Sequence, residues 1–302
     1  SPYHAVASVA DRLTAAGFTE VGLDQPWEGG GARFVTRDGA LVAWTTAGQD
    51  PSTPFRIVGA HTDSPNLRLK PNPDSGTAGW RQLGVEVYGG ALWNSWLDRD
   101  LGLSGRVVVR GLDGFRTELL LVDRPLARIP QLAIHLDRDV NGQGLKLNPQ
   151  VHLTPVWGLG PWAEGDLAGF LARELSVDVA DVVAWDLMFH DITPPTRLGR
   201  DQELVASARL DNLLSCWAGT VALGSVARTR SILPSTPVLC LFDHEEVGST
   251  SATGADGALL AQVLERVVLA RGGDRQDLLR ALSGSVCASV DMAHATHPNH
   301  PE

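Results

Sequence analysis

The spacing of apolar positions changes several times along the chain, and the changes divide it. Val6, Val9 and Leu13 recur on one helical face behind Ser1-Pro2 and ahead of Gly17, which predicts an amphipathic first helix with no leader ahead of it. Residues 33–35 and 41–44 flank Asp38-Gly39 as a hairpin would. Phe55-Arg-Ile-Val-Gly-Ala60 is a short strand running into His61-Thr-Asp63. From about Pro71-Asn-Pro-Asp-Ser-Gly76 the texture shifts to short β-type runs at residues 85–88, 106–110, 119–122 and 132–135, with Asp113-Gly114 marking a turn. Leu167, Phe170, Leu171 and Leu175 restore helical spacing until Thr193-Pro-Pro195 interrupts it. Beyond this point Asp211-Asn212 leads into a helix through Leu213, Cys216, Trp217, Thr220 and Val221, and residues 259–268 form another. Residues 238–242 and 285–290 are apolar strands. The predicted fold class is α/β: a mixed, largely parallel sheet flanked by helices, built from residues 1–72 and 198–302, with residues 73–197 inserted as a β-rich domain.

Composition narrows the function classes. At 302 residues, 43% hydrophobic and 20% charged, the chain has the profile of an ordinary globular protein of one large or two smaller domains. A formal net charge of −10 argues against nucleic acid or an anionic membrane surface as partner, and leaves room for bound cations. No apolar run is long enough to span a bilayer, and no signal peptide is present. Cys216, Cys240 and Cys287 lie in apolar surroundings without CxxC spacing, which predicts buried, reduced thiols and a cytoplasmic location.

The chemistry gathers where strands end. Val238-Leu-Cys-Leu-Phe242 stops at Asp243-His-Glu-Glu246, a buried-strand pattern delivering adjacent carboxylates to a sheet edge, where open α/β folds place ligands. If the backbone stays extended there, Glu245 and Glu246 point opposite ways, one toward a metal and the other toward a water. His61 and Asp291 end two further strands, and Asp211 sits where a loop becomes a helix. Taken singly each has a plainer reading: His61 a strand-end ring bonded to backbone, Asp63 a turn residue, Asp211 an N-cap, Asp291 and the glutamates loop acids. Together they fall on one rim if the strands are parallel neighbours. Clustered carboxylates repel by roughly 4 kcal/mol per pair at about 4 Å and an effective dielectric near 20. A pair of divalent ions removes that conflict and supplies the means for hydrolysis. Asp63 is placed to accept the second ring proton of a metal-bound His61.

At these residues the chain resembles a known family. Gly59-Ala-His-Thr-Asp-Ser-Pro65, Gly89-Gly-Ala-Leu-Trp93, Trp96-Leu-Asp-Arg-Asp-Leu101, Ala208-Arg-Leu-Asp-Asn212, Phe242-Asp-His-Glu-Glu-Val-Gly-Ser249 and Asp291-Met-Ala-His-Ala295 are similar to the motifs of the aspartyl aminopeptidases. The resemblance covers essentially the whole chain. It implies a zinc-exopeptidase-like fold and a dinuclear zinc enzyme that removes acidic residues (Asp or Glu) from peptide N-termini. It also implies a dodecamer built from dimers through the inserted domain. By motif, His61 and Asp291 would complete one metal site and Glu246 would hold the other. Asp211 would bridge the two ions, and Glu245 would be the general base. His135, in Ala133-Ile-His-Leu-Asp-Arg138, is the closest match to a histidine that reaches a neighbouring subunit's active site; its plainer reading is a strand-end surface residue. The family pattern runs on past Glu302 and carries there the histidine of the second metal site. This reads as an apparent lack of the C-terminal part, with core surface left exposed. His294 and His297 have counterparts in the motif that are not that ligand. The competing readings are a related dinuclear hydrolase of different specificity and an inactive or truncated assembly subunit.

Overall fold

The predicted first helix is α1 (Pro2–Ala15), with Val6, Val9 and Leu13 buried along one face. It is followed by β1 (Thr19–Glu20), β2 (Gly31–Arg37), β3 (Ala40–Thr46) and β4 (Phe55–His61). Next come β5 (Asn66–Thr77), β6 (Trp80–Tyr88), β7 (Asp100–Gly111), β8 (Gly114–Arg128), two single-turn helices α2 (Val140–Gln143) and α3 (Pro149–His152), and β9 (Val156–Leu159). The chain continues through α4 (Asp166–Leu175), β10 (Val182–Asp191), β11 (Thr196–Leu198), β12 (Leu204–Ala206) and α5 (Leu210–Ala227). It ends with β13 (Thr236–Phe242), α6 (Leu259–Leu269), α7 (Arg275–Ser283) and β14 (Val286–Ser289). This computed structural model describes residues 1–46, 48–229 and 232–302. They divide into an α/β unit, Pro2–Ser64 with Arg209–Glu302, and a barrel unit, Pro65–Ala208 with Ser1.

In the α/β unit one sheet runs β1-β2-β3-β13-β4-β14. The β2–β3 hairpin turns at Asp38-Gly39, with Arg37 opposite Ala40. β13 lies parallel to β4 with Phe242 opposite His61, and β14 lies parallel to β4 with Ser289 opposite Gly59. Three of the five pairings are parallel, so the sheet is mixed and largely parallel, as predicted. Apolar residues cover both faces of its middle strands. Phe34, Leu41 and Leu239 pack with α1 and Cys216 of α5, while Val42, Phe55 and Cys240 pack with Val263, Val267 and Leu278. Burial on both faces explains the unbroken apolar run of β13.

β14 is the exception to the expected burial of cysteines. It has one strand neighbour, and all four of its residues are exposed, so Cys287 is exposed while Cys216 and Cys240 are buried. Val286 on this edge and Leu214, Trp217 and Val221 along α5 are exposed as well. α7 was not anticipated. Its apolar content is low, but Asp274 and Asp277 form a reciprocal capping box at its start.

The barrel unit closes as β10-β5-β6-β9-β8-β7 around Leu67, Leu83, Leu101, Leu103, Val107 and Phe189. β7 comes close to β10 at Gly105, where a Cβ would stand 2.1 Å from the Asp186 carbonyl oxygen. The turn-like Pro71-Asn-Pro-Asp-Ser-Gly76 lies inside β5, where the pairing with β6 shifts register between Leu69 and Asp74. Prolines are tolerated in a strand at such an irregularity because no ladder donor is required of them. Residues 132–135 are not a strand; a turn at residues 134–136 is closed by Leu136 N donating to Ala133 O at 2.8 Å. Leu132, Ile134 and Leu136 are all exposed, so the apolar alternation there has no sheet to pack on.

Candidate metal centre

Parallel pairing brings the carboxyl ends of β4, β13 and β14 to one rim of the sheet. His61 closes β4, Glu245 and Glu246 follow β13 in a single 3-10 turn (Glu245–Val247), and Asp291 lies two residues past β14. Asp211 enters from α5, whose first turn is irregular at Asp211 and Asn212. The glutamate pair is therefore not extended, and strand alternation does not separate the two side chains. The 3-10 turn begins after His244, which is left-handed at φ 64°, and ends before Gly248 at φ 97°.

His61 is the hub. It is buried, while the carboxylates around it are largely exposed. Its Nε2 stands 3.4 Å from Asp211 Oδ1, 3.6 Å from Asp291 Oδ1 and 3.9 Å from Glu245 Oε2. On the other side of the ring Nδ1 lies 3.0 Å from the Asp63 carbonyl oxygen and 3.3 Å from its carboxylate. Of the two Asp63 oxygens facing Nδ1, the backbone carbonyl is the nearer. The fully buried Asp63 carboxylate also accepts from the backbone N–H groups of Glu245 (3.2 Å) and Glu246 (3.1 Å), which ties the glutamate turn to the His61 segment.

Three ligand atoms, from His61, Asp211 and Asp291, all lie within 4.8 Å of one another, the one such set of three or more among the described residues. Ligands at 2.0–2.2 Å on a tetrahedral zinc stand about 3.3–3.6 Å apart. The two His61 separations, 3.4 and 3.6 Å, fit that edge length, and an imidazole with two carboxylates is a suitable donor set. Glu246 is held by its backbone beside this set without joining it. His135 lies exposed in a turn at residues 134–136 of the barrel unit.

The electrostatics are those of a centre prepared for a cation. Burial alone lowers the His61 pKa, but the Asp63 hydrogen bond and charge, followed by Glu245 and Asp291, outweigh it and raise the value to about 9. Asp211 is pushed upward, first by partial desolvation and then by the Asp291 charge. Without metal, the protonated ring stabilises the fold fully below its unfolded pKa of 6.5, and that contribution is lost as the pH rises through about 9. Metal must displace the same proton. Zinc affinity measured by chelator competition is therefore expected to increase by about tenfold per pH unit up to about 9 and then level off. A flat profile from pH 6 to 9 would remove His61 from the ligand set.

Sequence reading passed over the ties that hold these backbones. Cys216 Sγ donates to His61 O at 3.0 Å, Asn212 Nδ2 to Val290 O at 2.8 Å, and Ser64 Oγ to Asp211 O at 3.1 Å. Asn212 stood in the quoted Ala208–Asn212 motif, where its place beside Asp211 was the available signal.

The family model described as aminopeptidase I zinc metalloprotease (M18) matches residues 1–302. The chain belongs to the peptidase M18 family. A probable M18 family aminopeptidase 2 from Streptomyces coelicolor is 59% identical over all of this chain and 70% of its own length. A structure of the Ape4 and Nbr1 complex is 35% identical with a TM-score of 0.94, and the match covers 100% of this chain and 62% of that one. The S. cerevisiae mApe1 dodecamer is 26% identical with a TM-score of 0.85, over 100% of this chain and 70% of that one. The M18 chain described here is thus shorter than these relatives. The family is one of zinc metalloaminopeptidases, which agrees with a divalent-metal site at His61, Asp211 and Asp291. No helix among the described residues is long and apolar enough to cross a membrane.

Proposed function

We propose that this chain carries the water-activating centre of a dinuclear aminopeptidase that removes acidic N-terminal residues from peptides. The observation that carries the reading is the meeting of His61, Asp211 and Asp291 at one sheet rim, with Glu245 beside them. In this reading His61 and Asp291 would hold one ion, Glu246 would hold the second, and Asp211 would be shared between them. Bound ions supply Lewis acidity to the scissile carbonyl and to the attacking water. Glu245 takes the proton from that water and passes it to the leaving amine. The surrounding carboxylates attract the free ammonium of the substrate, which fixes where cleavage occurs.

The preference for Asp and Glu follows from the motif resemblance to aspartyl aminopeptidases. A panel of aminoacyl chromogenic substrates tests it, with hydrolysis of the Asp and Glu members fastest and abolished by chelation. Equal turnover of leucyl or alanyl substrates would point to a general aminopeptidase instead.

Self-association into a dodecamer, with His135 reaching a neighbouring active site, belongs to the same proposal. Supporting it are the mApe1 dodecamer and the exposed Phe115, Leu119 and Leu121, which alternate along the outer face of β8. Sedimentation of the purified protein is expected to show a species of about twelve chains; a monomer at micromolar concentration would refute this part. Three free cysteines fit the cytosolic location that completes the reading.

A further inference from the structure

We infer that Asn212 is a positioning residue that sets the separation of Asp211 and Asp291. The inference rests on the reading of those two carboxylates as metal ligands. Asn212 is fully buried in the first turn of α5. Its Nδ2 donates to Val290 O at 2.8 Å, so one side chain joins the backbone beside Asp211 to the backbone beside Asp291. The tie continues into β4, because Val290 N donates to Gly59 O at 2.8 Å, two residues before His61. One route of hydrogen bonds therefore runs past all three residues of the set. Asn212 Oδ1 is buried without a hydrogen-bond partner among the described residues, so the donation to Val290 is the side chain's polar tie.

Such a tie is required here because like charges push Asp211 and Asp291 apart until a cation joins them. A packed apolar side chain would fill the same space but would leave the Val290 carbonyl unpaired and the two segments with the long Ser215 Oγ to Met292 Sδ contact at 3.9 Å. Two neighbouring ties act elsewhere: Cys216 holds the His61 carbonyl, and Ser64 holds the Asp211 carbonyl. Only the Asn212 bond, among these three, spans the two carboxylate-bearing segments.

The test compares Asn212→Leu, close in volume but without a donor, with Thr220→Val. The latter removes a buried bond (Thr220 Oγ1 to Cys216 O, 2.7 Å) from the same helix without touching a ligand-bearing strand. Zinc affinity is read by chelator competition at a temperature where circular dichroism shows all variants folded. The visible spectrum of the cobalt-loaded protein is read alongside, since it reports ligand geometry. The expected result is zinc binding about 10–100-fold weaker and an altered cobalt spectrum in N212L, with both unchanged in T220V. Equal zinc affinity and spectrum in N212L and the parent would overturn the inference. If N212L does not fold, Asn212→Ala takes its place. Failure of both to fold while T220V folds would assign Asn212 to the fold alone and equally overturn it. A parent that binds no zinc would instead overturn the metal reading on which the inference rests.

Discussion

Glu245→Gln should abolish turnover while the protein keeps its metal. Glu245 lies next to the ligand set, with Oε2 3.9 Å from His61 Nε2, but is not one of the three mutually close ligand groups. Its backbone N–H is fixed on the Asp63 carboxylate at 3.2 Å, a contact that the substitution leaves intact. Glutamine has nearly the same shape but cannot accept the proton of the attacking water. A general base contributes about 10²–10⁴-fold to rate, and a loss in kcat of that size is expected. Zinc per chain, measured by elemental analysis on the same preparation, should equal that of the parent. Near-parental kcat would assign the proton transfer to another group, and loss of zinc would make Glu245 a ligand.

Asp211→Asn should act on the opposite quantity. Asp211 Oδ1 is the nearest carboxylate oxygen to His61 Nε2, at 3.4 Å, and belongs to the ligand set that meets within 4.8 Å. A neutral amide oxygen is a much weaker ligand for zinc than a carboxylate. Affinity should fall by more than the roughly 10–100-fold typical of losing an outer partner of a metal site. Unfolding would give the same loss, but electrostatics separate the two outcomes. The Asp211 pKa is raised in the folded chain by partial desolvation and by the charge of Asp291, so its ionised form destabilises the metal-free fold at neutral pH. Removing the charge should leave the melting temperature of the metal-free protein at neutral pH equal to the parent's or higher. Weak zinc binding with a raised or unchanged melting temperature identifies a ligand. Full zinc content would exclude Asp211 from that role.

The readability of this centre differed from residue to residue. Strand ends were legible because β4 and β13 are apolar runs stopped abruptly by His61 and by the 243–246 acids. Asp63 was a candidate in the sequence because a histidine and a carboxylate two residues apart can form an orienting pair. The conformation of Glu245 and Glu246 was not legible. The pattern of β13 suggested continued extension, but Asp63 captures both of their N–H groups and the chain winds into a 3-10 turn. Residues 132–135 misled in the opposite direction, since apolar alternation implies a strand only where a neighbouring strand pairs with it. Exposed Cys287 has the same cause, because its apolar neighbours in sequence lie on a strand with a single partner.

By itself the sequence determined which residue types end which elements, because burial imposes its period on local stretches of chain. It thereby supplied the α/β class, the β-rich interruption and the roll of candidate ligands. Tertiary structure decided their convergence. Parallel pairing of β4 with β13 and β14, and the hydrogen bonds from α5 to Val290 and His61, bring Asp211 and Asp291 within reach of one buried imidazole. These pairings and hydrogen bonds join residues 78 or more positions apart, and no local period encodes them.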